Sequence, residues 1–424
     1  MRPAISLLFS LALLSTAGAA PDWPQFRGPA GNGHCNAKNL PLEWSESDGI
    51  KWKVAVHGRA WSSPVILGSQ VWMTSATEDG KELSLIVVDK ATGRTLFDKK
   101  LYDVETPQFA HRFNSYASPT PAAENGRVYV TWGSPATACL DAKTFKILWE
   151  RRDLVCDHFR GAGSSPILFE NLLIMNHDGA DTQYVIALDK RTGKTVWQTH
   201  RSVDYQDLTP EGKPYRDGDM RKAFSTPHIG ELDGKPILLS SGAKAHYAYD
   251  PRDGRELWRV DHPDQHSAST RPLLAHGLAY FPTGFGKGEL IVVRADRSGA
   301  LAAKDLAWHE KRSIPKKPSL LMVNDLLFMV DDGGIASCYE AVSGKLVWQE
   351  RLAQRAGNFS ASPLLADGRI YISNEEGNTY VFAADREFKL LATNALESGC
   401  MASPAISENA IFLRTKTHLY RIEK

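Results

Sequence analysis

A motif that recurs about every 45 residues constrains this chain more than any other feature of its sequence. Each copy begins with a proline, usually after a small residue: Pro64, Pro119, Pro166, Pro227, Pro272, Pro318, Pro363 and Pro404. The intervals between successive prolines are 55, 47, 61, 45, 46, 45 and 41 residues. A period of this length is typical of repeat proteins, in which each unit buries its apolar face only against its neighbours.

The copy from Ser164 to Trp197 shows what each unit contains. It has four short apolar runs, separated by turn residues at Glu170-Asn171, Asp178-Gly179 and Thr192-Gly193. Short runs rich in β-branched and aromatic residues between turn signals predict strands rather than helices. Four strands within these 34 residues match one blade of a β-propeller.

The second landmark of the repeat is an aspartate, followed by a glycine and then an aromatic residue at intervals of four. In a tight turn the aspartate accepts local backbone hydrogen bonds and the glycine takes a positive φ. The aromatic residue then packs against the neighbouring blade, where its large area is buried. We therefore predict a structural docking role for Asp189, Gly193, Trp149, Trp197, Trp258 and Trp348.

The two ends of the repeat region complement each other. The run Ile50–Val54 alternates like a strand but precedes the first proline, and the last unit, 401–424, supplies only three strands. An N-terminal strand that completes the last blade would close the ring and remove an unpaired sheet edge. We therefore predict an all-β fold over residues 50–424: an eight-bladed β-propeller of four-stranded antiparallel blades, closed by the N-terminal strand.

The first 49 residues have a different character. Met1-Arg2, the apolar stretch from Ile5 to Leu14 and the small residues 17–19 predict a secretory signal peptide over residues 1–20. No cysteine lies at the cleavage site, which argues against a lipid anchor, and no later segment is apolar enough to span a membrane. Residues 21–49 are rich in glycine, proline and asparagine, and we expect them to form a leader packed on the propeller.

Composition and cysteine spacing argue against several classes of function. A net charge of +1 gives no sign of a nucleic-acid partner. The five cysteines have no CxxC spacing and no adjacent pair, so no zinc site is predicted, and the pairing of any disulfide stays open. No metal-binding motif and no catalytic constellation is visible. These features predict a soluble, monomeric protein that is exported to the periplasm or secreted.

The motif Ala187-Leu188-Asp189, Thr192-Gly193-Lys194 and Trp197 resembles the tryptophan-docking repeat of quinoprotein dehydrogenases and other PQQ-like (pyrroloquinoline quinone) repeat propellers. The leader segment 22–29 is similar to the opening of many exported proteins of that family. The propeller lipoprotein of the outer-membrane barrel assembly machinery is another relative of similar size. The resemblance covers about residues 50–424 and implies an eight-bladed ring.

The resemblance to quinoprotein dehydrogenases also implies a cofactor. Those enzymes hold the quinone with an adjacent Cys-Cys disulfide, a calcium ion on Glu and Asn, and a catalytic Asp. This sequence has no adjacent cysteines and no positions that match the calcium ligands or the catalytic Asp. We therefore predict no cofactor, with PQQ and calcium kept as the alternative.

The loops that precede the innermost strands are the candidate ligand-binding region, because in a propeller they surround the mouth of the central funnel. Nearly every one of these loops carries a cation or an aromatic residue, a pattern that would concentrate an anionic ligand. The candidate ligand-binding residues are Arg59, Trp61, His111, Arg112, Asn114, His158, Arg160, Arg221, Arg271, Arg355 and Asn358.

These observations favour a non-catalytic scaffold. We expect it to bind an envelope protein, or an anionic or carbohydrate ligand, at the funnel face. A PQQ-dependent oxidoreductase and a carbohydrate-binding or carbohydrate-active protein are the alternatives, because propellers place function in loops that the repeat does not explain.

Overall fold

A computed structural model describes residues 23–424, so the predicted signal peptide (1–20) lies outside the described residues. It confirms the predicted all-β, eight-bladed architecture: the strands form eight sheets, each with four antiparallel strands, and one sheet has a fifth strand that runs parallel to its neighbour. In the first seven blades the four main strands follow one another in chain order from the innermost to the outermost.

Blade 1 contains β2 (Val65–Leu67), β3 (Gln70–Ala76), β4 (Glu82–Asp89) and β5 (Thr95–Asp103), and blade 2 contains β6 (Ala122–Glu124), β7 (Arg127–Thr131), β8 (Thr137–Asp141) and β9 (Ile147–Arg151). Blade 3 contains β10 (Ile167–Phe169), β11 (Leu172–Asp178), β12 (Gln183–Asp189) and β13 (Thr195–His200), and blade 4 contains β14 (His228–Leu232), β15 (Lys235–Ser241), β16 (Ala245–Tyr249) and β17 (Glu256–Asp261). Blade 5 contains β18 (Leu273–Ala275), β19 (Leu278–Pro282), β20 (Leu290–Arg294) and β22 (Leu306–Glu310), and blade 6 contains β23 (Leu321–Val323), β24 (Leu326–Val330), β25 (Ile335–Glu340) and β26 (Leu346–Arg351). Blade 7 contains β27 (Leu364–Ala366), β28 (Arg369–Ser373), β29 (Asn378–Ala383) and β30 (Leu390–Ala395), and blade 8 contains β31 (Ala405–Ser407), β32 (Ala410–Arg414), β33 (His418–Ile422) and β1 (Ile50–Ala55). Strand β21 (Gly299–Leu301) adds to the outer edge of blade 4, and two 3-10 segments span Tyr215–Arg221 and Ala303–Asp305.

Both ends of the described propeller meet in blade 8. Strand β1 pairs antiparallel with β33, with Val54 opposite Leu419 and Lys53 opposite Tyr420. The outermost strand of that blade therefore comes from the N-terminal side and the three inner strands from the C-terminal side. Such a shared blade joins the two ends of the chain through backbone hydrogen bonds.

The burial of the strands explains the continuous apolar runs in the sequence. The second strand of blade 3, β11, is buried along its whole length, and β12 is buried except at its last residue, Asp189. Both faces of a blade pack against neighbouring blades, so the middle strands do not alternate. The outermost strand β13 is mostly exposed but buries Trp197.

Each docking tryptophan joins its blade to the next one. The Trp197 Nε1–H donates a hydrogen bond to the backbone oxygen of Pro251 in blade 4, at 3.1 Å. A Cβ on Gly254 would lie only 2.4 Å from the Trp197 ring, and Gly254 has a φ of +73°, so the turn accepts glycine alone. Trp149 donates in the same way to Lys190 O at 3.0 Å, over Gly193.

The remaining predicted docking residues have the same geometry. Trp258 donates to Ala295 O and Trp348 to Asp385 O, both at 3.0 Å. Asp189 accepts hydrogen bonds from the backbone N–H and the hydroxyl of Thr192, both at 2.8 Å, which holds the turn that Trp149 contacts.

Two further docking tryptophans, Trp52 and Trp308, were not predicted. Trp52 donates to Lys90 O at 3.1 Å, and Trp308 donates to Ala341 O at 3.0 Å. Trp52 stands outside the repeat because its strand precedes the first proline. Trp308 is displaced from its expected spacing because the segment 297–305, which includes β21, is inserted before the outer strand of blade 5.

The leader crosses the ring and packs on several blades. Trp23 forms a two-way backbone bridge with Ile66 on the innermost strand of blade 1. Trp44 stacks on Tyr371 of blade 7 with 6.4 Å between ring centroids, and its backbone N–H donates to Asn394 Oδ1 at 2.8 Å. The leader therefore lies over the innermost strands before it enters the outer strand of blade 8.

Neither of the two helical segments in residues 23–424 has the length and apolar character that a membrane span needs.

Candidate functional site

All the loops that precede the innermost strands lie on one face of the ring, together with the loops between the second and third strands. This follows from the antiparallel order of the strands in every blade. We call this side the loop face. It comprises residues 56–64, 77–81, 104–121, 132–136, 152–166, 179–182, 201–227, 242–244, 262–272, 283–289, 311–320, 331–334, 352–363, 374–377, 396–404 and 415–417.

An open cleft of about 590 Å³ lies on the loop face and draws on several blades. We call it the mouth cleft. It is lined by Gly58, Arg59, Trp61, Glu78, Arg112, Phe113, Glu375, Met401 and Lys416. Three predicted site residues, Arg59, Trp61 and Arg112, are among them.

Side chains of one loop hold the next loop in place at the cleft. The Arg59 guanidinium donates to the backbone oxygen of Arg112 and lies 3.5 Å from Glu78 Oε1. The Trp61 Nε1–H donates to Phe113 O at 3.1 Å. These contacts fix the backbone of residues 112–113, so the Arg112 and Phe113 side chains stand exposed at the edge of the cleft.

The cleft carries more free positive charge than negative charge. Arg112 and Lys416 are exposed, and within the described chain no carboxylate lies within 4.0 Å of either of them. Glu375, in contrast, is neutralised by Lys317 at 2.9 Å. The Lys317 ammonium also lies 4.5 Å from the centre of the Phe113 ring, a cation–π distance. Unpaired cations beside an aromatic ring attract an anionic group.

Two other predicted cations are already paired by acids of the long loop 201–227. Arg160 makes two hydrogen bonds to Asp219, both at 2.9 Å, and Arg221 binds Asp207 at 2.6 Å. Burial acts to raise the pKa of Asp219, but hydrogen bonds from Arg160 and Lys222 outweigh it and lower that pKa to about 2. Arg160 and Arg221 are therefore not the free cations that the sequence suggested.

Asn114 and Arg271 have structural contacts instead of an open position. The Asn114 amide donates to the backbone oxygens of Arg160 and Ala162 at 3.0 and 3.2 Å and so joins two loops. Arg271 is buried below the leader, in the centre of the ring. Arg355 and Asn358 are exposed on the loop face without lining the cleft.

The two predicted histidines differ in their exposure. His111 lies at the surface of loop 104–121, where slight burial and the charges of Arg160 and Arg112 lower its pKa. The His158 side chain is half-buried, with its Nε2 enclosed and its ring 5.5 Å from that of the buried His177. Burial lowers the pKa of His158 to about 4 and that of His177 to about 3. Both rings are therefore neutral at pH 7.

The low pKa of His158 makes stability depend on pH. An unfolded histidine titrates near pH 6.5, so below that pH the unfolded chain binds a proton that folded His158 refuses. The stability that the protein owes to neutral His158 is fully present above pH 6.5 and is lost as the pH falls toward 4. When the pH is lowered from 7 to 5, we expect the free energy of unfolding to fall by about 2 kcal/mol less in His158→Asn than in the wild type. Denaturant unfolding at both pH values measures this difference.

The exposed His200, replaced by asparagine, is the matched control for this measurement. If His158→Asn and His200→Asn show the same pH dependence, the neutral state assigned to His158 is wrong.

The loop face also exposes most of the large apolar side chains found at the protein surface. Those on this face are Phe109, Phe113, Val155, Leu208, Tyr215 and Phe285. Of these, Phe109 packs on Phe159 with 5.4 Å between ring centroids. Exposed apolar groups close together mark surfaces that bind other proteins.

Sequence reasoning missed the cleft residues that come from loops between second and third strands. Glu78, Glu375 and Lys416 lie in three such loops, for which no ligand-binding role was predicted. The signal was available: once eight antiparallel blades are predicted, these loops must share a face with the loops that precede the innermost strands.

The described residues do not fit a quinone–calcium pair. The five cysteines are separate free thiols, so no disulfide can clamp a planar ring. Calcium takes about six to eight oxygen ligands. The cleft offers the carboxylates of Glu78 and Glu375, and Glu375 is bound by Lys317 and by Ser360 at 2.7 Å. Within residues 23–424 no cluster of His, Cys, Asp or Glu has the arrangement of a metal site.

A protein-family model described as outer membrane protein assembly factor BamB matches residues 85–220 and 181–424. A curated protein of that name from Yersinia pestis is 22% identical over 202 residues, which are 46% of this chain and 48% of the relative. The chain thus spans about half the length of the curated relative that it matches.

Solved structures share the fold at low sequence identity. A europium-containing methanol dehydrogenase is 12% identical with a TM-score of 0.69, covering 94% of this chain and 90% of that chain. A quinohemoprotein alcohol dehydrogenase from Comamonas testosteroni is 12% identical with a TM-score of 0.68, covering 96% and 81%. BamB from Moraxella catarrhalis is 12% identical with a TM-score of 0.57, covering 88% and 99%. At this identity the likeness shows the fold alone.

Proposed function

Because the chain belongs to the PQQ-like β-propeller family described as outer membrane protein assembly factor BamB, we propose that it is an exported, non-catalytic scaffold in the cell envelope. It binds a protein partner through the loop face. The partner segment is acidic and carries apolar side chains. The predicted signal peptide over residues 1–20 supports export to the periplasm.

The mouth cleft is the observation that carries this proposal. Arg112 and Lys416 offer two cations without a carboxylate partner in residues 23–424, and the exposed Phe113 ring lines the same cleft. Charged groups at the rim of an interface steer association, while apolar groups at its centre provide most of the affinity. An acidic segment with apolar side chains satisfies both kinds of group.

The chemistry of the cleft supports a binding role over catalysis. The titratable side chains that line it are three cations, Arg59, Arg112 and Lys416, and two carboxylates, Glu78 and Glu375. General acid–base and nucleophilic catalysis need a nucleophile beside a base whose pKa suits the reaction. Glu375 is already engaged by Lys317 and Ser360, and the lining includes no histidine, cysteine or serine.

Removal of the two free cations tests the proposal. A fluorescein-labelled peptide that alternates glutamate with phenylalanine serves as the probe, and fluorescence anisotropy gives its Kd. We expect the double variant Arg112→Ala/Lys416→Ala to bind about tenfold more weakly, because each exposed charge contributes up to about 1 kcal/mol. The loss should shrink as salt is raised.

The matched control is Arg191→Ala/Lys194→Ala, which removes the same two residue types from an exposed turn on the opposite face. Its Kd should stay within about twofold of the wild type. Equal losses in both double variants would show that the peptide senses only net charge and that the mouth cleft is not the binding site.

A further inference from the structure

A belt of hydroxyl groups surrounds the axis of the propeller. In seven of the eight blades, a residue next to the recurring proline donates its backbone N–H to the hydroxyl of the matching residue in the next blade. These bonds are Ser63 to Thr120, Thr120 to Ser165 and Ser165 to Thr226 (2.9 Å each), Arg271 to Ser319 and Ser319 to Ser362 (3.0 Å each), Ser362 to Ser403 (2.8 Å) and Ser403 to Ser63 (3.0 Å). Seven of the eight positions are serine or threonine, and Arg271 is the exception.

Because Arg271 has no hydroxyl, it interrupts the belt between blades 4 and 5, and it places a guanidinium in the centre of the ring. Its Nε–H donates to Pro227 O at 3.0 Å, and Nη1 donates to Phe26 O of the leader at 2.7 Å. The leader passes so close that a Cβ on Gly31 would lie 2.2 Å from Nη1. Arg271 is buried and is not among the residues that line the mouth cleft.

A second buried guanidinium comes from the leader itself. Arg27 is buried, and its Nη2 donates to Asn32 O at 2.9 Å. A Cβ on Gly33 would lie 2.6 Å from that nitrogen, so the leader backbone also encloses this group. The charges of Arg27 and Arg271 are close enough to repel each other, which adds to the effect of burial on Arg27.

The charge of the two guanidiniums is not balanced by protein acids. Burial lowers the pKa of each to about 9, so both are protonated at neutral pH. Throughout residues 23–424 no carboxylate lies within 4.0 Å of either guanidinium. Buried charges in folded proteins are otherwise paired, because an unpaired one loses its hydration without compensation.

Unpartnered hydrogen-bonding atoms surround the same place. Arg27 Nε and His228 Nδ1 are buried and have no hydrogen-bond partner among the described residues. His228 lies on the first strand of blade 4, next to the gap in the belt, and both arginine charges act on it. Buried polar atoms of this kind require a partner that the chain does not supply.

We propose that a small inorganic anion, of the size and charge of chloride, binds in the centre of the propeller between Arg27 and Arg271. It accepts the unused hydrogen bond of Arg27 Nε and balances the two guanidinium charges. Gly31 and Gly33 lie against the two guanidiniums, so the leader backbone encloses the proposed site. Because Arg27 belongs to the leader, the bound anion joins the leader to blade 5.

The dependence of the melting temperature on chloride tests this site. Chloride is exchanged for gluconate at constant ionic strength, so that screening stays the same. A ligand that binds only the folded state raises Tm with its concentration. We expect a saturable rise of about 3 °C in the wild type.

Arg271→Ser is the decisive variant, because it installs the residue type found at the other belt positions and should fold. It should show no difference between chloride and gluconate. Arg112→Ala, which removes an exposed arginine of the loop face, should keep the full chloride effect. An equal Tm of the wild type in the two salts, or a chloride effect that persists in Arg271→Ser, would overturn the proposal.

Bromide replaces chloride in a second measurement that does not depend on variants. Crystals of the wild type grown in bromide should show an anomalous peak within hydrogen-bond distance of both guanidiniums. Ordered water alone at that position would contradict the proposed site.

Discussion

Replacing Trp197 with alanine should lower the free energy of unfolding by about 3–5 kcal/mol, the cost of truncating a buried aromatic side chain. Trp197 is only 8% exposed although it lies on an outermost strand. Its ring covers Gly254 of the next blade, and its Nε1–H bonds to Pro251 O. The truncation leaves a cavity between two blades and an unpaired carbonyl. Equilibrium unfolding in guanidinium chloride measures the loss.

The adjacent Val196 provides the control for this prediction. It lies on the same strand and is 50% exposed. Val196→Ala should change stability by no more than about 0.5 kcal/mol. A further variant, Trp197→Phe, keeps most of the ring but loses the hydrogen bond, so its loss should be intermediate. A loss below about 1 kcal/mol for Trp197→Ala would disprove the docking role.

The second large effect is expected at an ion pair between blades 3 and 4. The Asp178 and Arg201 side chains are 1% and 0% exposed, with Arg201 Nη2 at 2.7 Å from Asp178 Oδ2. Arg201 also donates to Ser240 Oγ and Tyr249 Oη of blade 4, at 2.9 and 3.2 Å. Asp178→Ala leaves a buried guanidinium without its counter-charge and should cost about 3–5 kcal/mol of unfolding free energy.

Two comparisons separate the buried charge from simple loss of contacts. The double variant Asp178→Leu/Arg201→Met removes both charges and should be clearly more stable than Asp178→Ala. Asp296→Ala breaks an exposed pair, with Arg294 57% and Asp296 44% exposed, and should cost less than about 1 kcal/mol. If Asp178→Ala were as mild as Asp296→Ala, the inter-blade role of the pair would be wrong.

The fold could be predicted from sequence because each blade repeats the same local solution. The recurring proline, the Asp-to-Gly turn and the tryptophan are short-range patterns, and the eight prolines, which recur about every 45 residues, suffice to set the blade count. The spacing did not predict Trp308 as a docking residue, because the insertion 297–305 separates it from its turn. It did not predict Trp52, because the partner strands of Trp52 are at the other end of the chain.

The site was less predictable because its charged side chains form ion pairs with residues that are far apart in the sequence. Arg160 meets Asp219 and Lys317 meets Glu375, partners 59 and 58 positions apart that no local pattern connects. Arg271 occupies a place in the repeat where the other blades carry a hydroxyl, and only the leader's position shows where its side chain goes. The sequence thus identified the loop face, whereas the three-dimensional contacts separate free cations from paired ones.

The central claim is that the loop face binds an acidic partner segment through the mouth cleft. It is tested most directly by the Kd of the acidic, aromatic peptide for two double variants with the same change in charge. A roughly tenfold weaker Kd for Arg112→Ala/Lys416→Ala, with Arg191→Ala/Lys194→Ala near the wild type, is the predicted result. An unchanged Kd for Arg112→Ala/Lys416→Ala would contradict the account.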